Sequence, residues 1–75
     1  HMAIKTNKEL SQAIDKAITD SGYKRGYISD QLGIANQNLK KSIYKQNISI
    51  DDANKILKLV DCEAEITIKK VLKNQ

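Results

Sequence analysis

Apolar residues fall at helical spacing in four successive segments of the chain. In the first, Leu10, Ala13, Ile14, Ala17 and Ile18 lie at i, i+3, i+4, i+7 and i+8, a single stripe on one helix face. Thr6-Asn7-Lys8-Glu9 precedes it with the capping-box pattern, and Ser21-Gly22 marks its end. A second helix is predicted from Lys24 or Arg25 to Leu32, with Ile28 and Leu32 inward and Gly33 free to take the left-handed conformation that closes a helix. The third is expected to begin around Asn36, which can cap it, and to run for two to three turns with Leu39 and Ile43 inward. Ser49 with Asp52 opens a fourth, in which Ala53, Ile56, Leu57 and Val60 make the buried face, and which stops near Asp61.

After Asp61 the period changes from that of a helix to that of a strand. Cys62, Ala64, Ile66 and Ile68 alternate with Glu63, Glu65, Thr67 and Lys69, a strand with one buried face, on which Cys62 reads as a small core residue. No other segment reads as a strand, and a lone strand leaves its backbone groups unpaired. Pairing with a second copy across a two-fold axis would satisfy them, with Ala64, Ile66 and Ile68 as dimerisation residues. The alternative is an extended tail lying on its own helices. The fold class expected is therefore mainly α: a compact four-helix domain with one C-terminal β-strand that pairs in a homodimer.

Composition narrows the function. The chain has 75 residues, enough for one domain that removes about 60% of its unfolded surface from water. His1 and Met2 read as a cloning remnant, residues 3–61 as the helical domain, 62–69 as the strand and 70–75 as a basic tail. One cysteine fits a reducing compartment, and no apolar run approaches the roughly 20 residues of a membrane span. With no signal peptide evident, a soluble cytoplasmic protein is expected, with no membrane partner. The only histidine lies in the remnant, no Ser/His/Asp set or phosphate-cradling glycine loop is present, and Asp51-Asp52 is explained by a helix start. Neither an enzyme nor a metal site is expected, nor a cofactor or small-molecule substrate.

The net charge of +4 is unevenly spread. Residues 24–45 carry Lys24, Arg25, Lys40, Lys41 and Lys45 against Asp30 alone, whereas residues 46–68 carry two lysines against five acids. Positive charge thus surrounds the second and third helices, as a polyanionic partner would require.

The spacing about Gly33 is specific. Ser29 is small where the third helix crosses closely, Gly33 makes a tight turn, and Ile28, Ile34 and Leu39 fill the wedge between two helices crossing at roughly 90 to 120°. At these residues, Arg25 to Tyr44, the chain resembles the helix-turn-helix of the phage Cro/repressor (XRE) family. "LGIANQNLKKSIY" is similar to the family's turn and recognition helix, and "NISIDDANKILKLV" to its fourth helix. A C-terminal strand that pairs in a dimer is also a Cro-like feature. Three departures bear on helix starts: Ala35 stands where the family has Ser or Thr, Lys24 where it has a capping hydroxyl, and Gly26 where it has a better helix former.

The resemblance implies a transcriptional regulator that binds double-stranded DNA with its third helix in the major groove. The implied base contacts are Asn36, Gln37, Lys40 and Lys41: amides can bond adenine in pairs, and lysine can donate to guanine. Phosphates are expected at Lys24 and Arg25, where free amides and the helix dipole favour an anion, and at Asn38, Tyr44 and Lys45. Tyr27 is expected to pack. The rival reading is a protein-binding helix-turn-helix module, antirepressor or antitoxin-like, that has given up DNA.

Overall fold

Thr6 opens the first helix as its neighbours require. In a computed structural model describing residues 3–72, its hydroxyl accepts from the Glu9 amide at 3.0 Å. The Glu9 carboxylate reaches back to the Lys5 amide at 2.7 Å, one residue beyond the usual capping-box partner. His1 and Met2, read above as a cloning remnant, and the last three residues of the basic tail lie outside the described residues.

Four helices follow: α1 (Asn7–Ser21), α2 (Arg25–Leu32), α3 (Leu39–Ile43, entered through a 3₁₀ turn at Asn36–Asn38) and α4 (Ile50–Leu57, continued by a 3₁₀ turn at Lys58–Val60). The protein is mainly helical, and among the described residues no helix is long and apolar enough to cross a membrane. The starts and stops follow local chemistry. Ser49 accepts from the Asp52 amide at 3.0 Å and places Asp51 and Asp52 against the positive end of α4. Gly22 closes α1 and Gly33 closes α2, both left-handed, with φ of 78° and 71°. Asp61 closes the fourth helical segment at φ 61°, with the Cys62 amide bonded to the Leu57 carbonyl.

One core unites these elements. Leu10, Ile14 and Ile18 of α1 meet Ile28 of α2, Leu39 and Ile43 of α3, and Ala53, Ile56, Leu57 and Val60 of the last segment. Ile48, in the loop before α4, is also buried, and Ser11 is the buried polar residue of α1. The loop that brings Ile48 inward contains a left-handed Asn47, whose side-chain carbonyl accepts from Asn7 at 3.0 Å.

The C-terminal segment differs from expectation. Residues 62–72 run extended, and no strand forms among the described residues. Of the alternating face, Ala64 is half-buried against the core, while Ile66 and Ile68 are 72% and 93% exposed. Cys62, expected in the core, is exposed, because the left-handed turn at Asp61 carries the chain off the helix. What holds Ala64 is a side chain: Asn54 of α4 accepts from its amide at 2.7 Å and donates to its carbonyl at 3.0 Å, as a neighbouring strand would. Beyond this clamp the tail leaves the body. The radius of gyration is 13.9 Å, against about 11 Å for a globular chain of this length.

Two glycine substitutions separate backbone strain from helix propensity. Neither site has a heavy atom within 4 Å of an added Cβ. Gly33→Ala should lower the unfolding free energy in urea by about 1 kcal/mol, because a Cβ is strained in the left-handed region. Gly26→Ala, inside α2, should raise it by about 0.5 kcal/mol. A stabilising Gly33→Ala would show that the turn does not hold its left-handed form in solution.

Candidate functional site

The turn between α2 and α3 is closed by two backbone bonds, Gly33 amide to Asp30 carbonyl at 3.1 Å and Ile34 amide to Ser29 carbonyl at 3.0 Å. This is the Schellman arrangement, which satisfies two carbonyls at the end of α2 and reverses the chain tightly. Ser29 is 1% exposed, and its hydroxyl donates to the Gly26 carbonyl at 3.0 Å, so the buried hydroxyl is satisfied. Leu39 and Ile43 then take the inner side of α3 into the core.

That packing leaves the other side of the segment outward. Asn36, Gln37, Asn38, Lys40 and Lys41 are all exposed. Asn36 does not cap the helix as expected: the cap position is Ala35, which has no side-chain oxygen to offer. With no side-chain acceptor, the first turn tightens into a 3₁₀ turn, in which the Asn38 amide bonds the Ala35 carbonyl at 2.9 Å. The Asn36 amide group is therefore not engaged in capping. Lys24, the cap of α2, likewise makes no side-chain cap bond. None of the ion pairs among the described residues involves Lys24, Lys40 or Lys41. Lys40 holds its ammonium 5.9 Å from the centre of the Tyr44 ring, a loose cation–π contact.

The expected phosphate contacts divide into two groups. The side chains of Lys24 and Asn38 are exposed and unpaired among the described residues, whereas those of Arg25, Tyr44 and Lys45 all bond acids of the chain itself. Arg25 donates through Nη2 to Asp15 Oδ1 at 2.5 Å and to Thr19 Oγ1 at 3.0 Å. The Tyr44 hydroxyl donates to the second oxygen of the same carboxylate, Oδ2, at 2.8 Å. Asp15 on α1 thereby ties the start of α2 to the end of α3. Lys45 donates to Asp52 Oδ2 at 2.7 Å.

The titration behaviour follows from these bonds. Burial opposes ionisation of Asp15, but the Tyr44 hydroxyl and the Arg25 guanidinium outweigh it and hold the carboxyl below its ordinary range. The Tyr44 hydroxyl is pushed up, chiefly by its bond to that carboxylate. Asp52 is lowered, first by its hydrogen bond to Lys45.

Two further features were not legible as sites in the sequence. Tyr27, expected to pack, is 44% exposed and stacks on Tyr23 with ring centroids 5.6 Å apart, and the Tyr23 hydroxyl donates to Asp61. Asp15, Thr19 and Asn54 gave no local signal, since each acts on a residue distant in the sequence or on another element. The three residues expected to form one dimerisation face, Ala64, Ile66 and Ile68, do not share an environment in the single chain. No protein-family model, curated protein or solved structure matches this chain.

The Asp15 charge should appear in the stability. Because its folded pKa is depressed, its contribution is present above the unfolded value of about 4 and is lost as pH falls through the lower folded value. The urea-unfolding difference between the wild type and Asp15→Asn should thus be at most about 1 kcal/mol at pH 6, since Arg25 remains partly solvated, and should shrink progressively as the pH is lowered below the unfolded value. A difference that persists undiminished in acid would assign it to packing instead. Asn54→Ala should speed amide exchange at Ala64, because its removal leaves that amide without a partner and costs about 1 kcal/mol locally. Unaltered exchange would mean the clamp does not hold the tail.

Proposed function

We propose that this chain is a sequence-specific double-stranded-DNA-binding transcriptional regulator of the Cro/repressor type, with α2 and α3 as its helix-turn-helix. The carrying observation is the outward side of the α3 segment. Two amides and two ammonium groups, on Asn36, Gln37, Lys40 and Lys41, stand exposed on a segment whose inner side is fixed in the core by Leu39 and Ile43. A helix inserted in a major groove needs this division, with rigid support behind and donors and acceptors in front. The uncapped Asn36 supports its inclusion among the readers. Lys24, unpaired at the start of α2, suits a backbone phosphate.

The exposed apolar tail supports a homodimer. Ile66 and Ile68, with Val71 and Leu72, present apolar surface on an extended backbone whose hydrogen-bonding groups can pair with a second copy. Two such subunits would bind an inverted-repeat operator with half-sites about 34 Å apart, one helical turn. Repression would follow from excluding polymerase at an overlapping promoter in the cytoplasm, with protein concentration as the control. The same tail also favours the second reading, a protein-binding module that grips another regulator through its free strand edge. Salt dependence separates the two, since only a DNA binder releases counterions from a duplex.

Selection from random duplexes at a fixed salt concentration should return a preferred, two-fold symmetric site. Gln37→Ala should then cost about 1 to 3 kcal/mol at one base position and relax preference there. Lys24→Ala should weaken binding to all duplexes alike and reduce the salt slope by about one. If the wild type showed no sequence preference and no salt slope, the DNA reading would be lost and the protein-binding one would take its place. Sedimentation at micromolar concentration should show a dimer.

A further inference from the structure

Resting on the DNA reading, we infer that Asp15 is an internal competitor for Arg25, an acid that holds down the affinity of this surface for a phosphate backbone. Asp15 presents two oxygens on one carbon, and each takes a donor that the DNA reading assigns to phosphate. Oδ1 takes the Arg25 guanidinium at 2.5 Å, and Oδ2 takes the Tyr44 hydroxyl at 2.8 Å. The carboxylate thus occupies these donors as a phosphate would.

The donor inventory makes the competition concrete. A tyrosine hydroxyl has one proton. While Tyr44 gives it to Asp15, none remains for a phosphate. Arg25 Nη2 has two protons, and its short bonds to Asp15 and Thr19 engage both. A phosphate could reach Arg25 only through Nε or Nη1, or by displacing the carboxylate. Charge points the same way. The Asp15–Arg25 pair sums to zero, so the cation nearest the start of α2 contributes little to counterion release, in contrast to unpaired Lys24 beside it.

Packing does not explain why the residue is an acid. The buried stripe of α1 is Leu10, Ser11, Ile14 and Ile18, and Asp15 lies at its edge with its side chain 21% exposed. Groups facing it from the other helices are Arg25 of α2, Lys40 in the first turn of α3 and Tyr44 just past its end, all on the side assigned to DNA.

A double-substitution cycle tests the inference, using the site returned by selection and a short random-sequence duplex. Asp15→Asn should bind both duplexes several-fold tighter at low salt and steepen the salt slope by about one. That gain should shrink roughly three-fold between about 50 and 200 mM salt. Arg25→Ala, which leaves Asp15 uncompensated, should bind more weakly, and adding Asp15→Asn to it should recover most of the loss. The inference is overturned if Asp15→Asn weakens binding, or if the double variant binds as poorly as Arg25→Ala, since Asp15 would then be orienting Arg25 onto a phosphate. Circular dichroism melts establish that each variant is folded at the assay temperature. A measurement on the unaltered chain stands beside them. The Asp15 carboxyl carbon should titrate at higher pH in the duplex complex than in the free protein, because phosphates draw Arg25 away and add negative potential; an unmoved titration overturns the inference. A wild type with no salt-dependent duplex binding is a separate failure: it removes the DNA reading and this inference with it.

Discussion

Ile14 and Ile18 of α1, buried in one core with Ile28 of α2, Leu39 and Ile43 of α3 and Ala53, Ile56 and Leu57 of α4, make the contact on which the other elements depend. Each isoleucine or leucine side chain contributes about 1.5 to 3 kcal/mol on leaving water. A chain this short has few of them, and backbone entropy offsets most of the gain. α2 and α3 are too short to persist as isolated helices. They hold their places because Leu10, Ile14 and Ile18 of α1 form one core with Ile28, Leu39 and Ile43, and the last helical segment packs into that same core. The core therefore sets the orientation of every residue proposed to meet DNA.

The tight reversal at Gly33 follows from that contact. Ile28 and Leu39 both enter the core, so the chain must reverse tightly between the end of α2 at Leu32 and the segment that begins at Asn36. The backbone bonds from Gly33 and Ile34 to Asp30 and Ser29 provide it without side-chain help. At Ala35 the missing hydroxyl has a visible result: the first turn of the next segment is 3₁₀, and the Asn36 side chain is released from capping. The absence of a capping hydroxyl at residue 35 thereby changes which side-chain groups stand free at the start of this segment.

Electrostatics on this surface are set by acids from elsewhere in the chain. Asp15 from α1 takes Arg25 and Tyr44, and Asp52 from α4 takes Lys45. The local excess of positive charge in residues 24–45 is consequently smaller in space than along the sequence, and it is concentrated in Lys24, Lys40 and Lys41. The tail shows a related displacement. Its alternating pattern is that of a strand, but in the single chain only Ala64 finds a partner, and that partner is the Asn54 side chain.

The sequence by itself determined the helices, the side-chain caps of α1 and α4, the glycine stops of α1 and α2, and most of the core. Those features depend on residues within a turn of one another: Thr6 with Glu9, Ser49 with Asp52, Gly33 after Leu32, and stripes of period 3.6. It also marked the outward residues of the third segment, because Leu39 and Ile43 fix which side faces in. Only the tertiary structure decided which cations remain unpaired, which tyrosines lie open, that Ile48 joins the core, and that Ile66 and Ile68 are left in solvent. Each of these is a relation between residues brought together by packing, and no period or local spacing along the chain encodes that Asp15 will meet residues 25 and 44.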